Sequence, residues 1–311
     1  MGTPEFAVTI LDQIIQAGHD VAAVVTTPDR PAGRGQRLKC SDVKQYALDH
    51  QLPILQPEKL KDPDFVAQLQ ALQAEAFVVV AFRMLPPCVY SIPPKGTFNV
   101  HASLLPQYRG AAPIQWAIIN GETETGVTTF LLDEHTDTGD IIGQKRVRIT
   151  ADDNGGTLHD KLMYAGAELA METLKKMEDG TLEPIRQNAN GILKPAPKIF
   201  KEDMHIGWDD TAENIYNKIR GLSPYPGAFT LLTEKEGGRN LQLKIFQCAI
   251  SHTKSGDKPG VLRISNHKNL LITTKTDDIQ VEIVQIEGKK QMKTADFLAG
   301  FHAEYYTNNL K

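Results

Sequence analysis

Apolar residues recur along this chain with two periods, and each change of period marks a change of element. Near the start, Phe6, Ala7, Ile10, Leu11, Ile14 and Ile15 share one face at helical spacing. Thr3 is the expected N-cap of that helix, Pro4 its first residue and Gly18 its stop. Residues 21–26 read as a strand, 42–49 as a short helix, and 63–72 as a helix capped by Asp62. The unbroken apolar run at 76–82 has strand length and suits a parallel strand covered on both faces. A strand at 96–101, a helix at 112–120 closed by Gly121, a strand at 127–132 and a long amphipathic helix at 157–177 follow. Strands alternating with helices predict a doubly wound α/β domain.

From 182 to about 202 the periodicity stops. Pro184, Asn188, Asn190, Gly191, Pro195 and Pro197 there predict an extended linker. One helix at 211–220 precedes short alternating runs at 228–232, 241–249, 260–264, 270–274 and 279–286, five strands that predict a small β-barrel. The expected organisation is therefore a catalytic domain over 1–181, a linker over 182–203 and a second domain over 204–311, with no internal repeat.

Composition narrows the class. With 311 residues, 41% hydrophobic and 23% charged, the chain is an ordinary globular protein long enough for two cores. Disorder and collagen-like readings are excluded. The run at 76–82 falls far short of the ~20 residues a spanning helix needs, and the first residues have neither the basic start nor the apolar core of a signal peptide. Cys40, Cys88 and Cys248 form no ligand-like or disulfide-like pattern, so a cytoplasmic location with free thiols is expected.

Net charge is −4, which by itself disfavours a nucleic-acid partner. Its distribution changes that picture. Residues 1–181 carry 16 Lys+Arg against 23 Asp+Glu, whereas 182–203 and 204–311 are slightly basic. Inside the acidic part, Arg30, Arg34, Arg37, Lys39 and Lys44 form the densest basic segment, the first four of them on a Gly/Pro loop at 27–39 that is too long for a simple connection. Gly33 and Gly35 lack the third glycine of a dinucleotide fingerprint and open no helix. A charge run is more often solvated surface, but one confined to a long loop favours polyanion recognition.

The candidate chemistry follows two strands. Asn99 and His101, two apart, share a face at the carboxyl end of a strand, where open α/β sheets hold ligands. Residues 133–140 concentrate Asp133, Glu134, Asp137 and Asp140, which fit a Mg²⁺ site or a solvated turn equally well. If the two loops meet, an amide donor, an imidazole and one carboxylate converge, the parts needed to polarise a carbonyl, hold its oxyanion and move a proton. Ser103 as a nucleophile lacks the Gly-x-Ser-x-Gly elbow.

Gly2-Thr3-Pro4-Glu5-Phe6-Ala7, the stretch from Pro28 through Gly35, Asn99-Val100-His101-Ala102-Ser103-Leu104-Leu105-Pro106, Arg109-Gly110-Ala111-Ala112-Pro113-Ile114-Gln115, Asp137-Thr138-Gly139-Asp140 and Pro224-Tyr225-Pro226-Gly227 together resemble the methionyl-tRNA formyltransferase family. The resemblance spans essentially the whole chain in order. It implies a Rossmann-like doubly wound formyltransferase domain with a C-terminal OB-like β-barrel domain. It also implies formyl transfer from 10-formyltetrahydrofolate, a co-substrate, to the α-amino group of initiator methionyl-tRNA, with no metal and no covalent enzyme intermediate.

Position by position, the resemblance makes Asn99, His101 and Asp137 catalytic. It puts Ser103, Leu104, Leu105 and Pro106 along the folate pocket, and Arg30, Arg34, Arg37 and Lys39 against tRNA. A monomer without membrane contact is expected. The rival acceptors are glycinamide ribonucleotide, an amino nucleotide sugar or water, and a binding-only protein would show a broken trio.

Two departures stand out. Ala81-Phe82-Arg83-Met84-Leu85-Pro86 replaces the family's usual Ala-Tyr-Gly-x-x-Leu-Pro, so the pocket wall is expected to differ in shape and charge. Family members also carry a strand before the Gly-Thr-Pro turn, whereas here Met1 stands directly before it. The expectation is a start internal to the natural reading frame.

Overall fold

A computed structural model gives the architecture and describes residues 1–32, 37–236, 238, 240–266, 268–301 and 306–308. In chain order its first elements are α1 (Glu5–Gln16), β1 (Val24–Val25), β2 (Arg30–Ala32), β3 (Arg37–Lys39), α2 (Asp42–Asp49), β4 (Ile54–Leu55), α3 (Pro63–Ala71) and β5 (Phe77–Val79). Then come α4 (Pro87–Tyr90), β6 (Thr97–His101), α5 (Pro113–Ile119), β7 (Glu124–Leu131), β8 (Ile141–Arg148) and α6 (Gly155–Asp179). After these the chain forms α7 (Lys201–Met204), α8 (Ala212–Gly221), β9 (Ala228–Glu234), β10 (Asn240–Ile250), β11 (Leu262–Ser265) and β12 (Asn269–Ile272). It closes with β13 (Ile279–Ile286), β14 (Met292–Lys293), α9 (Thr294–Leu298) and β15 (Tyr306–Asn308). None of the described helices is long and apolar enough to cross a membrane.

Two compact units emerge: residues 1–110, 124–148 and 160–196, and residues 111–123, 149–159 and 197–311. The first holds a four-stranded sheet in the order β5-β6-β7-β8 and a two-stranded β1-β4 ladder. β5 and β6 run parallel, as do β1 and β4, but β7 runs antiparallel to both β6 and β8. β6 and β7 are the strands with both faces covered: Phe98, Val127 and Phe130 are wholly buried. β8, absent from the periodicity reading, is half exposed along its length, and Lys145, Arg146 and Arg148 disguise it.

Residues 1 and 2 lie against both parallel pieces. The Gly2 amide donates to Val25 O (3.0 Å), the Val80 amide donates to Met1 O (3.0 Å), and the terminal ammonium donates to Val78 O (2.7 Å). A cavity of about 500 Å³ beneath them is lined by Ile10, Ile14, Val24, Leu69 and Phe77 among others.

Three local expectations are corrected. Pro4, not Thr3, is the N-cap of α1, because the Pro4 carbonyl accepts the first helical bonds from Ala7 and Val8. The strand expected at 21–26 pairs only over Val24–Val25, which is where β4 runs beside it. The basic stretch at 27–39 is no plain loop: Arg30 pairs with Lys39, Pro31 with Leu38 and Ala32 with Arg37 in an antiparallel hairpin. Asp62 does cap α3, accepting from the Asp64 amide at 2.9 Å.

In the second unit, seven antiparallel strands form one sheet along β11-β12-β13-β10-β9-β15, with β14 on β13. β10 shifts register against β13 between Ile245 and Cys248, a bulge that bends a long strand. The end strands β11 and β15 do not pair with each other among the described residues, so the sheet is a curled half-barrel. Its core gathers Ile206, Trp208, Ile215, Ile219, Leu243, Ile272 and Val284.

Candidate active site

The site grows from the carboxyl end of β6. Alternation along the strand buries Phe98 and Val100 and turns Asn99 and His101 to the other face. His101 is 6% exposed and Asn99 is partly exposed. Asn99 is bonded through its backbone in the sheet, between Val79 and Phe130, whereas its side-chain amide makes no hydrogen bond with the described residues.

His101 is held from two sides. Its Nε2 lies 2.8 Å from Tyr108 O. A carbonyl only accepts, so Nε2 carries the proton and Nδ1 is the ring atom left for chemistry. Asp137 Oδ2 stands 3.8 Å from Nδ1, both side chains being largely buried. That separation is too long for a hydrogen bond, and the two groups attract as an ion pair only while the imidazole carries a second proton.

The Asp137 carboxylate is itself fixed. Its Oδ2 accepts from the Gly110 amide at 2.9 Å. Asp137 adopts φ +55°, a left-handed conformation that Asp tolerates better than most residues and that clusters at functional sites. Two residues on, a Cβ at Gly139 would stand 1.7 Å from Leu131 O, so only glycine lets the loop pass there. Gly110, with φ +125°, leaves no room for a side chain either: a Cβ would meet Ala196 O at 2.4 Å.

The turn after His101 is tied down by hydrogen bonds. Ser103 Oγ donates to Gln107 O (2.6 Å), and Thr128 Oγ1 donates to Ser103 O (2.6 Å). The Leu105 amide donates to Thr128 Oγ1, and Gln144 Nε2 donates to Leu105 O (2.9 Å). Ser103 and Leu105 are buried and serve this turn, while Leu104 and Pro106 retain partial exposure. The Ser103 hydroxyl is thus engaged with a backbone carbonyl.

Of the acidic cluster, Asp133 closes its own turn by accepting from the His135 amide and from Thr138 Oγ1. Only Asp137 faces the imidazole. No group of three His, Cys, Asp or Glu side chains among the described residues is arranged to hold a metal ion.

On the basic hairpin, Arg30 and Lys39 are exposed, Arg37 is placed by its backbone, and Arg34 lies outside the described residues. Asp29 at its base accepts from Lys44 Nζ (2.6 Å) and Gln56 Nε2 (2.9 Å). Those bonds hold its carboxyl below the usual carboxylate range. Arg83, the departure near the pocket wall, donates to the carbonyls of Pro57 and Glu58.

The sequence reading missed what frames the trio: the Tyr108 carbonyl, the Gly110 amide and the side chain of Gln187. The first two are backbone groups with no signature in side-chain pattern. Gln187 lies in the Pro/Asn/Gly run whose composition reads as a spacer.

Residues 1–174 match the family described as Formyl transferase, and residues 198–302 match Formyl transferase, C-terminal domain. A Bacteroides fragilis protein named methionyl-tRNA formyltransferase is 49% identical over 306 residues, covering 97% of this chain and 94% of that protein. Its namesake from Bacteroides thetaiotaomicron is 48% identical over 304 residues, with the same coverage. The chain also superposes on the solved N-formyltransferase of Helicobacter canadensis in complex with folinic acid and dTDP-3-aminofucose. The TM-score is 0.62 over 90% of this chain and 96% of that one, with 19% identity, a likeness of fold alone.

Proposed function

The chain belongs to the methionyl-tRNA formyltransferase family, and from that premise we propose that it transfers the formyl group of 10-formyltetrahydrofolate to the α-amino group of initiator methionyl-tRNA. The observation that carries this reading at the site is the convergence of His101 Nδ1 and Asp137 Oδ2, 3.8 Å apart, beside the uncommitted amide of Asn99.

The reaction starts with a neutral amine. An α-amino group titrates near ~8, so a usable fraction is deprotonated at neutral pH. The amine attacks the formyl carbon, a C–N bond forms, and the carbonyl electrons move onto oxygen. Collapse of this tetrahedral species breaks the bond to N10, and the proton lost by the amine ends on N10. Asn99 donates to the developing oxyanion, a role whose loss typically costs about 10²–10³ in rate. With Nε2–H held by Tyr108, His101 exchanges protons or donates through Nδ1 alone. Asp137 orients the ring and stabilises it while it is charged. No covalent enzyme adduct and no metal takes part.

In this reading, residues 1–181 form the catalytic domain, 182–203 the linker and 204–311 the tRNA-binding domain. Ser103 to Pro106 line the folate pocket. Arg30, Arg34, Arg37 and Lys39 approach the acceptor end, which the exposure of Arg30 and Lys39 on an anchored hairpin supports. The enzyme works as a cytoplasmic monomer.

The test is acceptor choice. The protein is incubated with 10-formyltetrahydrofolate and, in parallel, initiator methionyl-tRNA, elongator methionyl-tRNA and glycinamide ribonucleotide. Formylation of the initiator tRNA supports the reading; formylation of the ribonucleotide alone, or hydrolysis of the folate without transfer, overturns it.

A further inference from the structure

We propose that Gln187 is a positioning residue that clamps the loop bearing Asp137 to the loop that holds His101, so that the segment read as a linker completes the active site. This inference rests on the function proposed above.

All four hydrogen-bonding positions of the Gln187 amide are used, and the residue is 9% exposed. Its Nε2 donates to Asp137 O (3.0 Å) and Gly139 O (2.8 Å). Its Oε1 accepts from Arg109 Nε (3.2 Å) and Nη2 (2.6 Å). This network fixes the amide's orientation. Turned over, it would set an oxygen against two carbonyls and an NH₂ against a guanidinium, four wrong contacts at once.

Both ends of the clamp lead to the trio. On one side it grips the backbone of Asp137 itself. On the other it grips Arg109, whose chain neighbours are the two groups that frame the site: Tyr108 O bonds His101 Nε2, and the Gly110 amide bonds Asp137 Oδ2. The strap around Gln187 reinforces this. Ile185 exchanges two 2.8 Å backbone bonds with Ile141, Lys194 O accepts from the Tyr108 amide (2.7 Å), and the Ala196 amide donates to Arg109 O (2.8 Å). The separation of Asp137 from His101 is thus set by a side chain fifty residues away in sequence. A misplacement of about 1 Å at a reacting centre costs on the order of 10²-fold.

Gln187→Glu separates the two arms. It keeps an acceptor for Arg109 but opposes an oxygen to the carbonyls of Asp137 and Gly139. Gln187→Met removes both arms at similar volume. Steady-state transfer is measured for both variants, for Asp137→Asn and for the Gln187→Glu/Asp137→Asn double variant, with melting temperatures and amide hydrogen exchange at Gly110. Expected are a tenfold or greater fall in kcat for each Gln187 variant, KM for both substrates within about twofold, and about tenfold faster Gly110 exchange. Because the clamp acts through Asp137, Gln187→Glu adds less than threefold to the loss already caused by Asp137→Asn.

Wild-type kcat in Gln187→Glu, multiplication of the two losses in the double variant, or failure of both Gln187 variants to fold overturns the proposal. Should the wild type transfer no formyl group to methionyl-tRNA, the functional reading fails. Gly110 exchange then still decides the clamp: unchanged protection in both variants sinks it, and lost protection sustains it.

Discussion

Replacing Asp137 with Asn removes one charge beside His101 while keeping an oxygen that accepts from Gly110, which makes it the cleanest perturbation of the trio. The pair is separated by 3.8 Å. At that distance two unit charges attract by about 1 kcal/mol in bulk water and about 4 kcal/mol at an effective dielectric near 20. Both side chains are mostly shielded from solvent, which places the true figure toward the upper end. If Asp137 stabilises the ring only while it is charged in the transition state, the loss falls on kcat and amounts to about sixfold to about a thousandfold. The assay is steady-state formyl transfer with 10-formyltetrahydrofolate and methionyl-tRNA each varied in turn, which yields kcat and KM, with tRNA affinity measured separately. A loss below fivefold, or one carried by KM with kcat unchanged, would refute the electrostatic role and leave Asp137 a merely structural acceptor for the Gly110 amide.

Other substitutions probe the remaining parts. Asn99→Ala lowers kcat by about 10²–10³ with little change in substrate KM, as loss of an oxyanion donor requires; a KM effect alone would assign Asn99 to ground-state binding. Arg30→Ala with Lys39→Ala raises KM for tRNA and flattens its dependence on salt by about one log–log unit for each phosphate no longer neutralised; an unchanged salt slope would remove the hairpin from the tRNA interface. His205 sits edge-on to Phe229 with a buried Nε2 that has no partner among the described residues, and burial, then the nearby Lys218 charge, lowers its pKa. The folded state thus favours neutral His205, so its contribution to stability is complete above the ordinary imidazole value of ~6.5 and is lost as pH falls through and below it. The melting temperature of the wild type therefore drops more steeply between pH 7 and pH 5 than that of His205→Asn; parallel curves would contradict this.

Much of the fold could be read from patterning where one rule dominated. The helix Asp42–Asp49 and the strand Ile279–Ile286 fall where periodicity puts them: Val43 and Ala47, four apart, are the buried positions of the helix, and the strand opens with Ile279 and Val281 buried two apart. β8 escaped because its exposed positions carry Lys and Arg, and its partner β7 hides its own alternation by burying both faces. The short β14, α9 and β15 escaped because pairing to β13 and β9, rather than local pattern, holds the strands in place. At the candidate site, Asn99 and His101 were legible from spacing on one strand and Asp137 from its acidic turn and the family resemblance. Gln187 was not. A glutamine among prolines and asparagines looks like linker until the chain folds, and its meaning comes entirely from two carbonyls and a guanidinium brought to it by other loops.

The most direct measurement pairs wild type with His101→Ala, following formyl transfer to initiator methionyl-tRNA in one arm and equilibrium binding of the same tRNA and of the folate in the other. A chain that works through Nδ1 of His101 loses transfer by at least three orders of magnitude while both affinities stay within about twofold. Transfer at a comparable rate in the variant would contradict a reaction that runs through this imidazole.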